Sequence, residues 1–244
     1  MASITSIEPR IEFSPAAALL RRMLKRLLPL GLALVFAAGT VTAVEPTNLS
    51  TAKQQVAYYV ASGEYGKEVA RVAADANKYL IRRIPKGIPK SAKHSRKLAV
   101  VFDIDETTLS NARHIQANDY GYLPKVWDAW VAEGQATAIF PVQAVYNTAV
   151  NAQVDVFFIT GRSPDGAAAT ERNLRQVGYE TWTRIIYKPA DFAEPTRAFK
   201  IEARRQLAAE GYLIILNIGD QNSDLVGGYA EKISKLPNPF YLVN

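Results

Sequence analysis

Asp103 and Asp105 stand two residues apart in LAVVFDIDETTLS (98–110), directly after an apolar run. Asp220 and Asp224 stand four apart in GDQNSDL (219–225), after the apolar run YLIILNI. Carboxylates gathered at one edge repel one another, and a hard cation offsets that repulsion. Mg²⁺ suits the case, because it takes oxygen ligands, few of them from protein, and leaves positions for phosphate and water. Asp103 and Asp220 can each give one carboxylate oxygen and Asp105 its backbone carbonyl. A carboxylate beside a bound phosphoryl group can attack phosphorus and split the reaction into two steps. A second carboxylate two residues on, along the same side of an extended segment, can protonate the leaving alcohol and then deprotonate water. Asp103 and Asp105 have that spacing. In FITGR (158–162), the Thr160 hydroxyl and the N–H groups near Gly161 can bind phosphoryl oxygens. A lysine is needed to offset the shared charge, and the residue pattern alone divides evenly between Lys200 and Lys188.

These groups must be held by elements that bring them to one place. Leu98–Phe102, Val154–Ile159, Arg184–Tyr187 and Tyr212–Ile218 read as strands, with a last strand at Phe240–Val243. Between them, Pro124–Glu133, Pro141–Ala152, Asp165–Val177 and Thr196–Ala209 read as helices. Gly178 and Gly211 are the stops for the last two. Upstream, a helix N-capped by Ser50 ends near Ser62-Gly63. A second covers Glu64 to Arg83, with Val69, Val72, Ala73, Ala76 and Leu80 on one face, and Pro85 stops it. Apolar strands alternating with helices predict an α/β fold with a parallel sheet covered on both faces, and a ligand site beyond the carboxyl ends of the strands.

Composition narrows the classes. Residues 1–43 follow the order of a secretory signal peptide: basic Arg21, Arg22, Lys25 and Arg26, an apolar run from Leu27 to Ala38, then Val41-Thr42-Ala43. The expectation is export, periplasmic or secreted, with no stable membrane anchor after cleavage. The formal charge of +6 divides equally between that segment and the rest. Much of the remainder lies in Ile81–Lys97, which also holds Pro85, Gly87 and Pro89 and no aromatic residue, so it reads as a solvated linker and not a nucleic-acid surface. The absence of cysteine excludes disulfides, thiolate metal sites, a cysteine nucleophile and lipidation after the apolar run. The expected organisation is a signal over 1–43, a helical extension and linker over 44–97, and a core over 98–244 with 111–140 a short insert near the site.

In order, Asp103-Ile104-Asp105-Glu106-Thr107, Thr160, Lys200 and Asp220-Gln221-Asn222-Ser223-Asp224 resemble the motif set of the haloacid dehalogenase superfamily. FDIDETTLSN, FITGR, GDQNSDL, LPNPFY and the segment from Trp127 to Gly134 are similar to the class B acid phosphatase and plant vegetative storage protein group, subfamily IIIB. The resemblance implies a three-layer Rossmann-like sandwich with a minimal cap and Mg²⁺-dependent hydrolysis of small phosphomonoesters through an aspartyl phosphate. It assigns Asp103 as nucleophile and metal ligand, and Asp105 as acid/base and carbonyl ligand. Thr160, Gly161 and Lys200 take phosphate, Asp220 takes metal, and Asp224 and Thr107 support them. Lys200 is preferred over Lys188 because it opens the helix before the last motif. The presence of Asp105 favours a phosphatase over a dehalogenase. Alternatives are a non-catalytic storage or binding protein of the same fold, and phosphotransfer to alcohols. A minimal cap leaves room for a homo-oligomer to narrow the site. Trp127 and Trp130 read as packing residues, His94 as solvent-facing, His114 as a candidate near the substrate, and Glu106 as outside the reaction.

Overall fold

The computed structural model describes residues 44–92 and 94–243, and the signal-like segment lies outside them. Two helices lead, α1 (Leu49–Ala61) and α2 (Glu64–Arg83). The order is then β1 (Lys97–Phe102), β2 (Leu109–Ser110), α3 (Ala112–Ala117), α4 (Pro124–Glu133), β3 (Thr137–Ala138) and α5 (Phe140–Asn151). It continues with β4 (Asp155–Thr160), α6 (Ala167–Gln176), β5 (Arg184–Tyr187), α7 (Thr196–Ala209), β6 (Tyr212–Gly219), α8 (Asn222–Leu225) and β7 (Ile233–Lys235).

Five strands form one sheet in the order β5-β4-β1-β6-β7, with every pair parallel. Alternate residues of a strand face opposite sides, and both sides are dry here. Val100, Phe102, Val156 and Phe158 pack with Val69, Ala73 and Leu80 of α2 and Val142 and Val145 of α5. Ala99, Val101, Phe157 and Ile159 pack with Phe199, Ala203 and Leu207 of α7. Helices on both faces make the fold a three-layer α/β sandwich. Phe102 of β1 lies level with Phe158 of β4 and Ile218 of β6, so the carboxyl ends of these strands open side by side. Between β1 and α5 the chain forms the short antiparallel pair β2–β3 and helices α3 and α4, both helices falling within residues 111–140.

Several expectations need correction. The N-cap of α1 is Asn48, whose side chain accepts from the N–H groups of Ser50 and Thr51. Ser50 is already inside the helix. The Asp165–Val177 helix opens with a 3₁₀ turn, Pro164–Gly166, and becomes α-helical from Ala167. The last strand is Ile233–Lys235, and Phe240–Val243 is irregular. The N–H groups of Phe240 and Tyr241 are taken by Asn238 Oδ1 and that of Val243 by Gln221 Oε1, which removes the donors a ladder would use. Nor is the basic stretch wholly solvated. Arg83 is 9% exposed, forked onto Glu231 at 2.6 and 2.9 Å, and donates to the Gly87 carbonyl. No helix among the described residues is long and apolar enough to cross a membrane.

Candidate active site

The apolar run of β1 stops where its backbone turns over itself. The Ile104 carbonyl accepts from the N–H groups of Thr108 and Leu109, and Thr108 Oγ1 donates to the Asp103 carbonyl at 2.6 Å. Glu106 takes a left-handed φ of 56° to close this turn. Ile104 is driven into the core, while Asp103 and Asp105 on either side of it line a cavity of about 440 Å³.

Lys200 reaches that cavity from α7. Its Nζ donates at 2.5 Å to Asp103 Oδ1 and at 2.5 Å to Asp224 Oδ1, and all three side chains are buried. One turn further along α7, Arg204 is fully buried and donates to the backbone carbonyls of Asp224, Val226 and Gly228. Asn217 of β6 donates to the Asp224 carbonyl as well. The residue at 219 must be glycine, because a Cβ there would lie 2.4 Å from the Asp224 Cβ and 2.5 Å from its Oδ2. That close approach lets Asp224 Oδ2 accept the Gln221 N–H at 2.7 Å.

Asp220 is held on both oxygens. Thr107 Oγ1 donates to Oδ1 at 2.9 Å, and Gln221 Nε2 and Asn238 Nδ2 each donate to Oδ2 at 2.7 Å. Carboxylate oxygens of Asp103, Asp220 and Asp224 all lie within 4.8 Å of one another. This all-oxygen, anionic donor set fits a hard divalent cation. Burial and the neighbouring carboxylates push the Asp103 carboxyl well above its ordinary pKa and Asp220 up to about 6. Burial works against a charged Lys200, but Asp103 and Asp224 outweigh it and keep its pKa raised.

The Asp105 carboxylate has a different environment. Arg162 Nε donates to both of its oxygens at 3.1 Å and Nη2 to Oδ1 at 2.7 Å. Arg162 is 5% exposed and anchored at its far end by Nη1 on Thr170 Oγ1. Thr160 is fully buried. Its hydroxyl accepts the Arg162 N–H at 3.1 Å, and Gly161 and Arg162 form the adjoining cavity wall. Lys188 lies apart, with Nζ 3.4 Å from Thr196 Oγ1. His114, Tyr120, Tyr122 and Trp127 also line the cavity, and His114 stacks on Trp130 at 5.0 Å between ring centroids.

Residue types alone missed several members of this cluster. Arg162 and Asn111 stand within quoted motifs, yet neither carries a role until its partner is seen. Glu106 is fully buried, accepts from the Asn111 N–H and from Tyr241 OH, and is pushed up to about 8 by burial and by Asp105. Asn238 and Tyr241 come from LPNPFY, far along the chain, and only the fold brings them to Asp220 and Glu106.

Known proteins give the frame for this geometry. Residues 31–244 match the family described as HAD superfamily, subfamily IIIB (acid phosphatase). The stem 28 kDa glycoprotein of Glycine max is 39% identical over 150 residues, and the chain spans 59% of that relative's length. Acid phosphatase 1 of Solanum lycopersicum is 31% identical over 212 residues, covering 82% of this chain and 80% of that one. The solved class C acid phosphatase from Bacillus anthracis superposes with a TM-score of 0.64 at 26% identity, covering 78% of this chain and 86% of that one.

Proposed function

Because this chain belongs to subfamily IIIB of the HAD superfamily, the acid phosphatases, we propose that it hydrolyses small phosphomonoesters through a phosphorylated Asp103. The observation that carries this reading is the placement of Asp103 at the end of the central strand, beside Lys200 and within 4.8 Å of Asp220 and Asp224. Asp103 attacks phosphorus, and the ester oxygen leaves with a proton from Asp105. Asp105 then takes a proton from the water that cleaves the aspartyl phosphate. Lys200, fixed between Asp103 and Asp224, offsets the charge that the nucleophile shares with the phosphoryl group. Gly161, in the cavity wall, offers its N–H to the phosphoryl oxygens, and the Thr160 hydroxyl orders that turn by holding the Arg162 N–H. Mg²⁺, held by the carboxylates of Asp103 and Asp220 and the backbone carbonyl of Asp105, supplies Lewis-acid charge to that group when bound. Asp224 and Thr107 act one step away, through Lys200 and Asp220.

Export is proposed on the order of basic, apolar and small residues over 21–43. The test of function is phosphate release from p-nitrophenyl phosphate, with chelator and with Mg²⁺ restored. Turnover is expected only with the metal, and Asp103→Asn abolishes it. Wild-type-like turnover by that variant would sink the mechanism. A protein that folds but releases no phosphate under any of these conditions would instead match the non-catalytic storage reading.

A further inference from the structure

Asn111 is fully buried, and its amide is used on every side. Nδ2 donates at 2.9 Å to Asp105 Oδ1 and at 3.2 Å to Glu106 Oε2. Oδ1 accepts the indole N–H of Trp130 at 2.8 Å. The amide orientation follows from chemistry. An indole N–H only donates, so it must meet Oδ1, which leaves the NH₂ group for the two carboxylates. A flipped amide would set its oxygen against the Asp105 carboxylate and its NH₂ against another donor.

The same contacts make the two oxygens of Asp105 unequal. Oδ1 receives Arg162 Nε, Arg162 Nη2 and Asn111 Nδ2, whereas Oδ2 receives only Arg162 Nε, at 3.1 Å and shared with Oδ1. Oδ1 therefore has no free lone pair, and Oδ2 keeps one. A guanidinium fork alone lets the carboxylate rock with it. A second donor on Oδ1, from a different element, fixes the plane. Trp130 belongs to α4 in the insert, so the insert sets the orientation of a group in the β1 loop.

We propose that Trp130 and Asn111 are positioning residues that act through Asp105, turning Oδ2 toward the scissile ester as the atom that gives and takes the proton. This rests on the reading of Asp105 as the proton-transfer group. Trp130→Phe is the sharp variant, because it keeps the ring packed on His114 and removes only the N–H. The readout is kcat/KM for two substrates, which reports the step up to phosphorylation of the enzyme. p-Nitrophenolate leaves without a proton, whereas the alkoxide of glycerol phosphate needs one. The expected result is about a tenfold loss for glycerol phosphate and less than about a twofold change for p-nitrophenyl phosphate. Asn111→Ala should show the same selectivity, and the double variant should be no worse than Asn111→Ala alone, because the pair acts as one unit. Equal losses on both substrates, or no loss on either, would overturn the proposal while leaving the phosphatase reading intact. Absence of phosphate release by the wild-type protein would overturn both. Should Asn111→Ala fail to fold, Trp130→Phe still decides.

Discussion

Lys200 and Lys188 carry the same ammonium group on either side of Thr196, and their surroundings separate them. Lys200 is 5% exposed and bonded to two buried carboxylates, whereas Lys188 has a single long contact to a hydroxyl. Removing Lys200 leaves Asp103 and Asp224 buried without their shared counter-charge. Truncating one partner of such a group costs about 3–5 kcal/mol. We therefore expect Lys200→Ala to lose phosphate release by at least about a hundredfold and to lower the melting temperature, with Lys188→Ala within about threefold of wild type. Activity and thermal melting on both variants check this, and the reverse order would reassign the lysine. The site's main carboxylates were legible because acidic residues directly after apolar runs are conspicuous. Their hydrogen-bond donors were not. Asn111, Gln221 and Asn238 have no periodicity and no charge, and each gains meaning only from the carboxylate it meets. Glu106 shows the same limit from the other side. It reads as a bystander in sequence, yet it is a fully buried anchor for Asn111 and Tyr241.

Helices with strong punctuation were read to the residue. Gly63 and Pro85 bracket α2, Pro124 and Gly134 bracket α4, and Gly211 follows α7. The edge strand β7 was missed because an edge strand needs only backbone pairing. Ile233 is 50% exposed and Lys235 points to solvent, so no apolar alternation announces it. Phe240–Val243 has the right composition and the wrong partners, since side chains of Asn238 and Gln221 occupy its N–H groups. The extension over 44–97 needs a similar reappraisal. The apolar face of α2 is part of the same cluster as α5 and the sheet, with Leu80 fully buried. We propose that α2 folds with the core. Leu80→Ala should then cost about 2–5 kcal/mol and lower the midpoint of one cooperative transition, followed by denaturant melting. A separate early transition, with the main one unmoved, would make the extension an independent unit.

Across the whole molecule, buried carboxylates set how stability responds to pH. Glu106, pushed up to about 8, and Asp220, pushed up to about 6, hold protons in the fold that an unfolded chain releases near pH 4. Their folded pKa values are raised, so their contribution is complete below about pH 4 and is lost as pH rises through 6 to 8. In chelator, the melting temperature should fall across that window. Mg²⁺ should raise it more at pH 8 than at pH 5, because cation and proton compete for Asp220. Melting curves at both pH values, with and without the metal, check this, and a metal increment independent of pH would remove Asp220 from the ligand set. Arg204 bears on the molecule's history in another way. Each of its three bonds in the 224–228 segment ends on a backbone carbonyl. A staple that reads only main chain places no demand on the side chain at 226. Val226, 41% exposed in the middle of that segment, is thus free to drift toward polar or charged types while the geometry behind it stays fixed. Lineages carrying this arginine can redecorate that patch of surface without disturbing the carboxylates beneath it.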